Sequence, residues 1–440
     1  MIKKNTNILN LINESLNTID GDSGDIATII KTISSAQEKI IFKTNIVSIN
    51  SLKDWKFNSS TGNFFHKSNR FFSLQGLCSG SNQFPILVQQ EIGILGFLAS
   101  NINGVLHLLV QLKIEPGNPN GFQLSPTVQA TRSNYSRVHG GKLPPFLEFF
   151  VPGRKTQTIR DNYQSEQGLR YFKKRNRNII VFTDNPPDAG DSHIWMTLGQ
   201  IKALAKEPLL INSCTRSVLS MLSYSTHKFD DKKYLYYDDH EVFSLLQDSH
   251  DLSAKESFLV NLNKIKNWNS YKGAFKSDQK NNFSIIGVEV KGVSREVNSW
   301  TQPLLKESSK GEYGLIVGTI NGTLKIFWKL RKEPGLFKGS ELGPTWINRG
   351  CQNETNTWGY KQNKNGKELF QIDLAEEGGR FYQSIFNHKI VWIGEIDSND
   401  LGEDIIPLSY AQTERFISDY SFLTIEARSL WFLMRVEWFE

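Results

Sequence analysis

Apolar residues recur every three or four positions along the first 45 residues, with polar residues between them. This spacing is the period of a helix that buries one face, so it predicts two amphipathic helices that pack against the rest of the chain. The apolar positions are Ile8, Leu9, Leu11, Ile12, Leu16 and Ile19, and then Ile26, Ile29, Ile30 and Ile33.

A different period begins after Asn103-Gly104, a pair that favours the positive φ angles of a tight hairpin turn. Apolar residues then occupy every second position, which predicts a half-buried strand. The apolar face holds Leu106, Leu108, Val110, Leu112 and Ile114, and the other face holds His107, Leu109, Gln111, Lys113 and Glu115.

This turn and strand occur twice. Residues 103–117 recur without a gap as residues 321–335, and residues 124–127 keep the same spacing in residues 342–345. Two further pairs of segments keep the same order, namely 72–76 with 283–287 and 165–171 with 375–381. These matches indicate a tandem duplication of a unit of roughly 180 residues, the size of one domain.

The duplication sets the expected domain organisation. We predict an amino-terminal helical segment at 1–45, a first repeat at 46–225, a connecting segment at 226–255 and a second repeat at 256–440. Helical patterns at 196–204 and 216–222 accompany the predicted strands. Each unit therefore mixes a mostly antiparallel sheet with a few helices, which is an α+β fold.

The composition fits a globular chain. Of its 440 residues, 39% are apolar, which is enough for two cores. The net charge of +6 suits a small anionic ligand and is far from the composition of a nucleic-acid-binding protein. The 3 cysteines lack disulfide or zinc-ligand spacing, and no apolar run is long enough to span a bilayer. We expect a soluble, cytoplasmic protein.

Residues that are identical in both copies serve what the copies share. Such pairs include Glu115 with Glu333, Thr127 with Thr345 and Arg170 with Arg380. For these residues both a ligand contact and a purely structural hydrogen bond stay open. The Pro-Gly that follows each glutamate is typical of a turn.

A run rich in hydroxyl, amide and cationic side chains, at residues 127–142, occurs only in the first copy. Such groups are costly to bury without a partner, so the segment indicates a sugar diphosphate ligand unless it is a solvated loop. The basic cluster at 173–177 could also hold phosphate or be a solvated charge run. The motifs GxGxxG, GxxxxGK[ST], HExxH and GxSxG are absent, which argues against a nicotinamide cofactor and a serine nucleophile.

Six segments together resemble the NDP-hexose 2,3-dehydratase family, and the resemblance covers nearly the whole chain. They are residues 90–96, 115–118, 124–135, 165–168, 174–178 and 195–200. The resemblance implies a homodimer in which each subunit has two Nudix-like domains, each with a nucleotide-sugar pocket, one of them catalytic. It also implies dehydration of a nucleotide-linked 4-keto-6-deoxyhexose, most simply dTDP-linked, whose product passes to a 3-ketoreductase.

The second copy departs from the family pattern at residues 345–348, where Trp346 and Ile347 replace Val128 and Gln129 of the first copy. This difference favours the first copy as the working pocket and the second as a remnant or a structural copy. Neither copy has a complete Nudix metal-binding motif, so no metal ion is expected.

The reaction that the family implies is a β-elimination. The C4 ketone acidifies the proton at C3, a base removes that proton, and an acid protonates the hydroxyl that leaves from C2. Because the redox change is internal to the sugar, no redox cofactor is needed. We predict Glu115 or His107 as the base and Tyr135 or His139 as the acid. The predicted substrate contacts are Glu91, Gln111, Thr127, Gln129, Thr131, Arg132, Asn134, Arg137, Glu166, Arg170, Lys174 and Arg177.

Two other functions stay open. A Nudix-like nucleotide-sugar hydrolase would release sugar phosphate with the help of a divalent metal. A non-catalytic nucleotide-sugar-binding protein would be stabilised by the ligand without turning it over. The sequence does not specify the nucleotide, the exact sugar or whether the second pocket binds a ligand.

Overall fold

The structure is a computed structural model. It describes residues 2–131, 143–153, 156–223, 235–254, 257–279, 283–292, 298–349, 352–355 and 357–438. The first half contains α1 (Ile2–Asn17), α2 (Ile26–Lys39), β1 (Phe42–Val47), β2 (Trp55–Phe57), β3 (Phe64–His66), β4 (Ser73–Ser79), β5 (Asn82–Val88), β6 (Gly93–Ile102), β7 (Val105–Lys113), β8 (Gln123–Ser125), β9 (Val128–Ala130), β10 (Gln157–Ser165), β11 (Arg175–Thr183), β12 (His193–Thr197), α3 (Leu198–Leu204) and α4 (Ser213–Leu219).

After one connecting helix, the second half repeats the order from β1 onward and has a short strand and a helix between the counterparts of β9 and β10. It contains α5 (Asp239–Ala254), β13 (Ser257–Val260), β14 (Trp268–Tyr271), β15 (Ala274–Ser277), β16 (Ser284–Gly292), β17 (Ser299–Lys306), β18 (Gly311–Ile320), β19 (Thr323–Lys332), β20 (Ser340–Gly343), β21 (Trp346–Arg349), β22 (Gln352–Asn353), α6 (Trp358–Asn365), β23 (Lys367–Ala375), β24 (Ile385–Glu395), β25 (Ile405–Leu408), α7 (Tyr410–Ser418) and α8 (Ile425–Trp438). The predicted α+β duplication is confirmed.

The two amphipathic helices are present where the apolar period predicts them. Ile12, Ile29 and Ile33 are buried, and the side chain of Asp25 caps α2 by accepting from the amide of Thr28. The hydroxyl of Ser15 on α1 donates to the carbonyl of Leu106 on β7. The amino-terminal helices therefore cover one face of the first copy.

Each copy has a large mixed sheet built on the predicted hairpin. In the first copy the order is β10-β11-β6-β7-β12, with β8 beside β7 and β9 beside β6, and β6 runs parallel to β11. In the second copy β18, β19, β24 and β25 take the places of β6, β7, β11 and β12. Asn103 and Gly104 have φ of +54° and +89°, and Asn321 and Gly322 have +51° and +69°, so both Asn-Gly turns are confirmed.

The smaller sheets exchange strands between the copies. Strand β1 pairs with β16 of the second copy, and β13 pairs with β4 of the first. Each copy thus lends its first strand to the other. The smaller sheets are therefore built from strands of both copies.

The helices that follow the large sheets pack against each other at the centre. Arg216 on α4 donates to the hydroxyl of Ser429 (3.0 Å), and Arg428 on α8 donates to the hydroxyl of Ser217 (2.9 Å). The helix predicted at 196–204 begins only at Leu198, because the preceding residues belong to β12. The helix predicted at 216–222 spans Ser213–Leu219. No helix in the described part of the chain is both long and apolar enough to cross a membrane.

Candidate functional site

A cavity of about 1440 Å³ opens beside the large sheet of the first copy. We call it the first pocket. Its wall from the first copy includes Gln111, Lys113, Glu115, Gln129, Glu166 and Lys174, and its wall from the second copy includes Trp300, Gln302, Glu377, Gly379 and Arg380. The site is therefore shared between the two copies of the repeat.

Glu115 lies just beyond the end of β7, on the polar face that the alternating pattern predicts. It is only 7% exposed, and the ammonium group of Lys113 lies 3.9 Å from its Oε1. The amide nitrogen of Gln129 donates to the same oxygen (3.3 Å). A carboxylate with two polar neighbours in a cavity of this size is a candidate base.

The side-chain amide of Gln129 is oriented by its own partners. Its oxygen accepts from the hydroxyl of Ser125 (2.9 Å) and from the amide of Asn212 (3.1 Å). The nitrogen must consequently point the other way, where it reaches both Glu115 and Oε1 of Glu377 (3.4 Å). Gln129 thus links carboxyl groups from the two copies.

Glu377 comes from the loop after β23. Burial and, after it, the negative charge of Glu115 raise the pKa of Glu377 to about 8. Glu377 therefore carries a proton at neutral pH. The first pocket holds a candidate base and a candidate proton donor side by side.

Arg380 and Lys174 are two of the cations that line the same cavity. The guanidinium carbon of Arg380 lies 4.3 Å from the centre of the Phe72 ring, and its hydrogen-bond acceptors are the neutral amide of Gln89 (3.4 Å) and the carbonyl of Gly379 (2.8 Å). Among the described residues, the buried Nε of Arg380 has no hydrogen-bond partner. Lys174 donates to the carbonyl of Glu91, and burial lowers its pKa to about 8. These groups can receive an anion.

Seven of the predicted site residues line the first pocket. They are Gln111, Glu115, Thr127, Gln129, Thr131, Glu166 and Lys174. The hydroxyl of Thr127, however, accepts from the amide of Leu98 and donates to the carbonyl of Leu109. Thr345 makes the same pair of bonds in the second copy, so this threonine serves the sheet. Arg132, Asn134, Tyr135, Arg137 and His139 lie outside the described residues.

His107 lies elsewhere. Its Nε2 accepts from the amide of Asp22 (3.0 Å), and its Nδ1 donates to the carbonyl of Val105 (3.0 Å). Lys113 lies six positions further along β7, about 20 Å away at the usual rise of a strand. Burial lowers its pKa as well. His107 thus anchors the connection between α1 and α2, and we do not retain it as a base.

Three other predicted contacts also fall outside the pocket. Arg170 forms a two-pronged pair with Glu307, with its Nη2 at 2.9 and 3.1 Å from the two carboxylate oxygens. Arg177 forms a similar pair with Asp161. Glu91 contributes its carbonyl to Lys174, while its carboxylate accepts from Gln89 (2.8 Å).

Glu377 and Arg380 were absent from the predicted site because they come from the second copy. The two Pro-Gly turns explain how they reach it. The amide of Gly117 donates to Gly378 (2.8 Å), and the amide of Gly335 donates to Gly168 (2.8 Å). The loop after β23 therefore closes the pocket of the first copy, and its counterpart after β10 closes the other. The sequence does contain a signal for Arg380, because it is the same residue type as its counterpart Arg170, a predicted substrate contact.

Comparison with known proteins identifies the chain. The family model for NDP-hexose 2,3-dehydratase matches residues 26–222 and again residues 239–434. The chain belongs to the NDP-hexose 2,3-dehydratase family. Both copies of the repeat are thus recognised as units of that family.

Three curated relatives of this family member carry the name dTDP-4-dehydro-6-deoxy-alpha-D-glucopyranose 2,3-dehydratase. The one from Saccharopolyspora spinosa is 32% identical and covers 88% of this chain and 87% of its own. The one from Amycolatopsis orientalis is 36% identical and covers 74% of this chain and 71% of its own. The one from Streptomyces violaceoruber is 32% identical and covers 87% of this chain and 90% of its own. Among solved structures, an ADP compounds hydrolase is 16% identical over 35% of this chain and 84% of its own, with a TM-score of 0.24.

The dehydratase family unit occurs twice, but larger side chains fill the equivalent second pocket. Tyr313 replaces Leu95, Arg349 replaces Thr131, and Glu426 replaces Cys214. Arg349 pairs with Glu426 (3.2 Å) and donates to the hydroxyl of Tyr313. All three residues are at most 3% exposed. The open cavity of the first copy is closed here by an internal hydrogen-bonded cluster.

Proposed function

We propose that this protein removes water across C2 and C3 of dTDP-4-keto-6-deoxyglucose, giving the 3,4-diketo-2,6-dideoxy sugar. The proposal is supported by family membership, by the names of the three relatives and by one feature of the site. That feature is a buried carboxylate, Glu115, in a large cavity whose other wall carries a cation.

In the proposed reaction Glu115 takes the proton from C3. Negative charge then develops on the C4 oxygen, and the ammonium group of Lys113, close to Glu115, lies where it can stabilise that charge. The C2 hydroxyl leaves as water. The resulting enol at C3 tautomerises to the diketone, so the sugar supplies its own redox balance.

The nucleotide end has matching groups at the rim of the cavity. The indole rings of Trp55 and Trp300 line it, and each indole N–H is already satisfied, by the carbonyl of Thr301 (3.1 Å) and by Gln302 (2.8 Å). The ring face of Trp300 can stack on a base, whereas the ring of Trp55 packs in the core against Phe64 and Phe72. Arg380 then binds the diphosphate between the base and the sugar.

The cellular setting belongs to the same proposal. The family resemblance supports a homodimer. A downstream 3-ketoreductase belongs to the proposal because the diketo product needs reduction at C3 before further use. The lack of disulfide spacing among the 3 cysteines supports a cytoplasmic location. A Nudix-type hydrolase has less support. Within the described ranges, no group of three His, Cys, Asp or Glu side chains is arranged to hold a metal ion.

Mass spectrometry of the purified protein with dTDP-4-keto-6-deoxyglucose tests this function. We expect loss of one water, and trapping of a 2,6-dideoxy sugar when a 3-ketoreductase is added. Release of sugar phosphate with added Mg²⁺ would instead show a hydrolase. Thermal stabilisation without turnover, with this and related nucleotide sugars, would show a binding protein.

A further inference from the structure

The leaving hydroxyl needs a proton, and the carboxyl group of Glu377 in the first pocket can supply it. We propose that Glu377 is the general acid of the dehydration proposed above, and that it forms with Glu115 a carboxyl pair assembled from the two copies of the repeat. This inference depends on the proposed function, since it assigns a role within that reaction.

The geometry brings the two carboxyl groups to one place. The amide nitrogen of Gln129 lies 3.3 Å from Oε1 of Glu115 and 3.4 Å from Oε1 of Glu377. A Cβ placed on Gly379 would lie 3.2 Å and 2.2 Å from the same two oxygens. Both oxygens thus converge beside the backbone of Gly379, a position that glycine keeps open.

Two carboxyl groups this close cannot both be ionised without a large electrostatic cost, so one of them holds a proton. Glu377 is the proton holder, because burial and the charge of Glu115 both raise its pKa. The other charged groups that act on it are Arg380 and Lys113, which favour ionisation, and Glu166, which opposes it.

The second pocket lacks this pair, which links the pair to chemistry and not to folding. Glu333 takes the place of Glu115, but Gln167 takes the place of Glu377 and Ile347 that of Gln129. An amide cannot donate a proton to a leaving group and then remain stable as an anion. Gln167 instead donates to Glu376 (2.7 Å). The fold therefore forms without a carboxyl at this position.

The proton balance closes over one turnover. Glu115 takes the proton from C3, and the C2–O bond breaks as Glu377 gives its proton to the departing hydroxyl. The product at this stage is the enol with a C2=C3 double bond. The ionised Glu377 then accepts the proton of the C3 hydroxyl, and Glu115 returns its proton to C2. Both carboxyl groups regain their starting states without any co-reactant.

The test compares two leaving groups on the Glu377→Gln variant of the full chain. One substrate is dTDP-4-keto-6-deoxyglucose, and the other carries fluorine in place of the C2 hydroxyl. Fluoride departs without being protonated, and both substrates give the same diketo product. We expect the variant to lose about 100-fold or more in kcat on the hydroxyl substrate, the usual contribution of a general acid, and less than about 10-fold on the fluoro substrate.

The matched variants separate this role from others. Glu115→Gln should lose kcat on both substrates, because both reactions begin with proton removal from C3. Glu333→Gln in the second copy should keep the wild-type kcat on both. The inference is overturned if Glu377→Gln turns over the hydroxyl substrate within about 10-fold of the wild type, or if it loses both substrates equally. A wild-type protein that converts neither substrate would refute the proposed function itself.

A measurement on the wild-type protein covers the case in which Glu377→Gln does not fold. The kcat on the hydroxyl substrate should fall as the pH rises above about 8, because Glu377 then loses the proton that it must donate. The kcat on the fluoro substrate should not show this fall. Parallel falls for both substrates would contradict the assignment.

Discussion

The first and second pockets have the same backbone frame, but the first is an open cavity and the second is filled by buried side chains. Each is closed by a Pro-Gly turn from one copy and a glycine-containing loop from the other. In the second pocket Arg170 is neutralised by Glu307, whereas in the first pocket Arg380 faces the neutral Gln89. The residues that build the frame are shared, as are Glu115 with Glu333 and Arg380 with Arg170, but the side chains around these shared groups differ.

This comparison also shows why a filled pocket can persist. The second copy contributes Glu377, Arg380 and Trp300 to the first pocket. Its own pocket is closed by buried contacts such as Arg349 with Glu426. The second copy therefore completes the candidate active site regardless of whether it binds a ligand itself.

Loss of the base should have the largest effect. Glu115→Gln keeps the hydrogen bond to Gln129 but removes the carboxylate, so kcat should fall by about 10³-fold, within the usual range for a general base. Glu333→Gln removes the equivalent carboxyl from the second pocket and should leave kcat unchanged. Steady-state kinetics measure kcat for both variants. An equal fall in kcat would contradict the assignment of catalysis to the first pocket alone.

Arg380→Gln should weaken substrate binding next most strongly. A charge-assisted hydrogen bond contributes about 1.5–3 kcal/mol, so we expect KM for the nucleotide sugar to rise roughly 10- to 100-fold. Arg177→Gln is the comparison variant, since Arg177 pairs with Asp161 outside the pocket. An unchanged KM in Arg380→Gln would show that the diphosphate lies elsewhere.

The frame itself should be equally sensitive in both copies. A Cβ on Gly117 would lie 1.7 Å from the carbonyl oxygen of Phe381, and one on Gly335 would lie 2.1 Å from that of Tyr171. Each Gly→Ala variant should therefore lower the free energy of unfolding by about 1–3 kcal/mol. Denaturant titration would measure it, and a loss in only one variant would mean that the two junctions differ.

The smallest effect is expected from copying the second pocket into the first. Gln89→Glu would give Arg380 the carboxylate partner that Arg170 already has in Glu307. The new carboxylate would compete with the substrate diphosphate for Arg380, and KM should rise about 10-fold. A lower KM would contradict the assignment of Arg380 to the diphosphate. The substitution also places a second carboxylate beside Glu91, which a thermal unfolding measurement would monitor.

Local patterns predicted much of the fold. The Asn-Gly turns, the strand after each turn and the amino-terminal helices all depend on neighbouring residues, and all are present. The start of α3 was placed two residues early. Thr197 and Gln200 form a capping box there, which ends the apolar strand pattern before the helix begins.

The site was less accessible to such reasoning. The alternating pattern places Glu115 on a polar strand face but gives no position along a cavity, so His107, on the same face, looked equally suitable. What separates them is the contact of His107 with Asp22, which is tertiary. Glu377 and Arg380 reach the pocket only through the exchange of loops between the copies, and a sequence repeat does not reveal which pocket a loop closes.

The most direct test of the account uses substrate labelled with deuterium at C3. The account predicts that the wild-type protein releases one water from dTDP-4-keto-6-deoxyglucose, that deuterium at C3 slows this step, and that Glu115→Gln lowers its rate by about 10³-fold. Conversion at the same rate in Glu115→Gln, or release of a sugar phosphate in place of water, would contradict it.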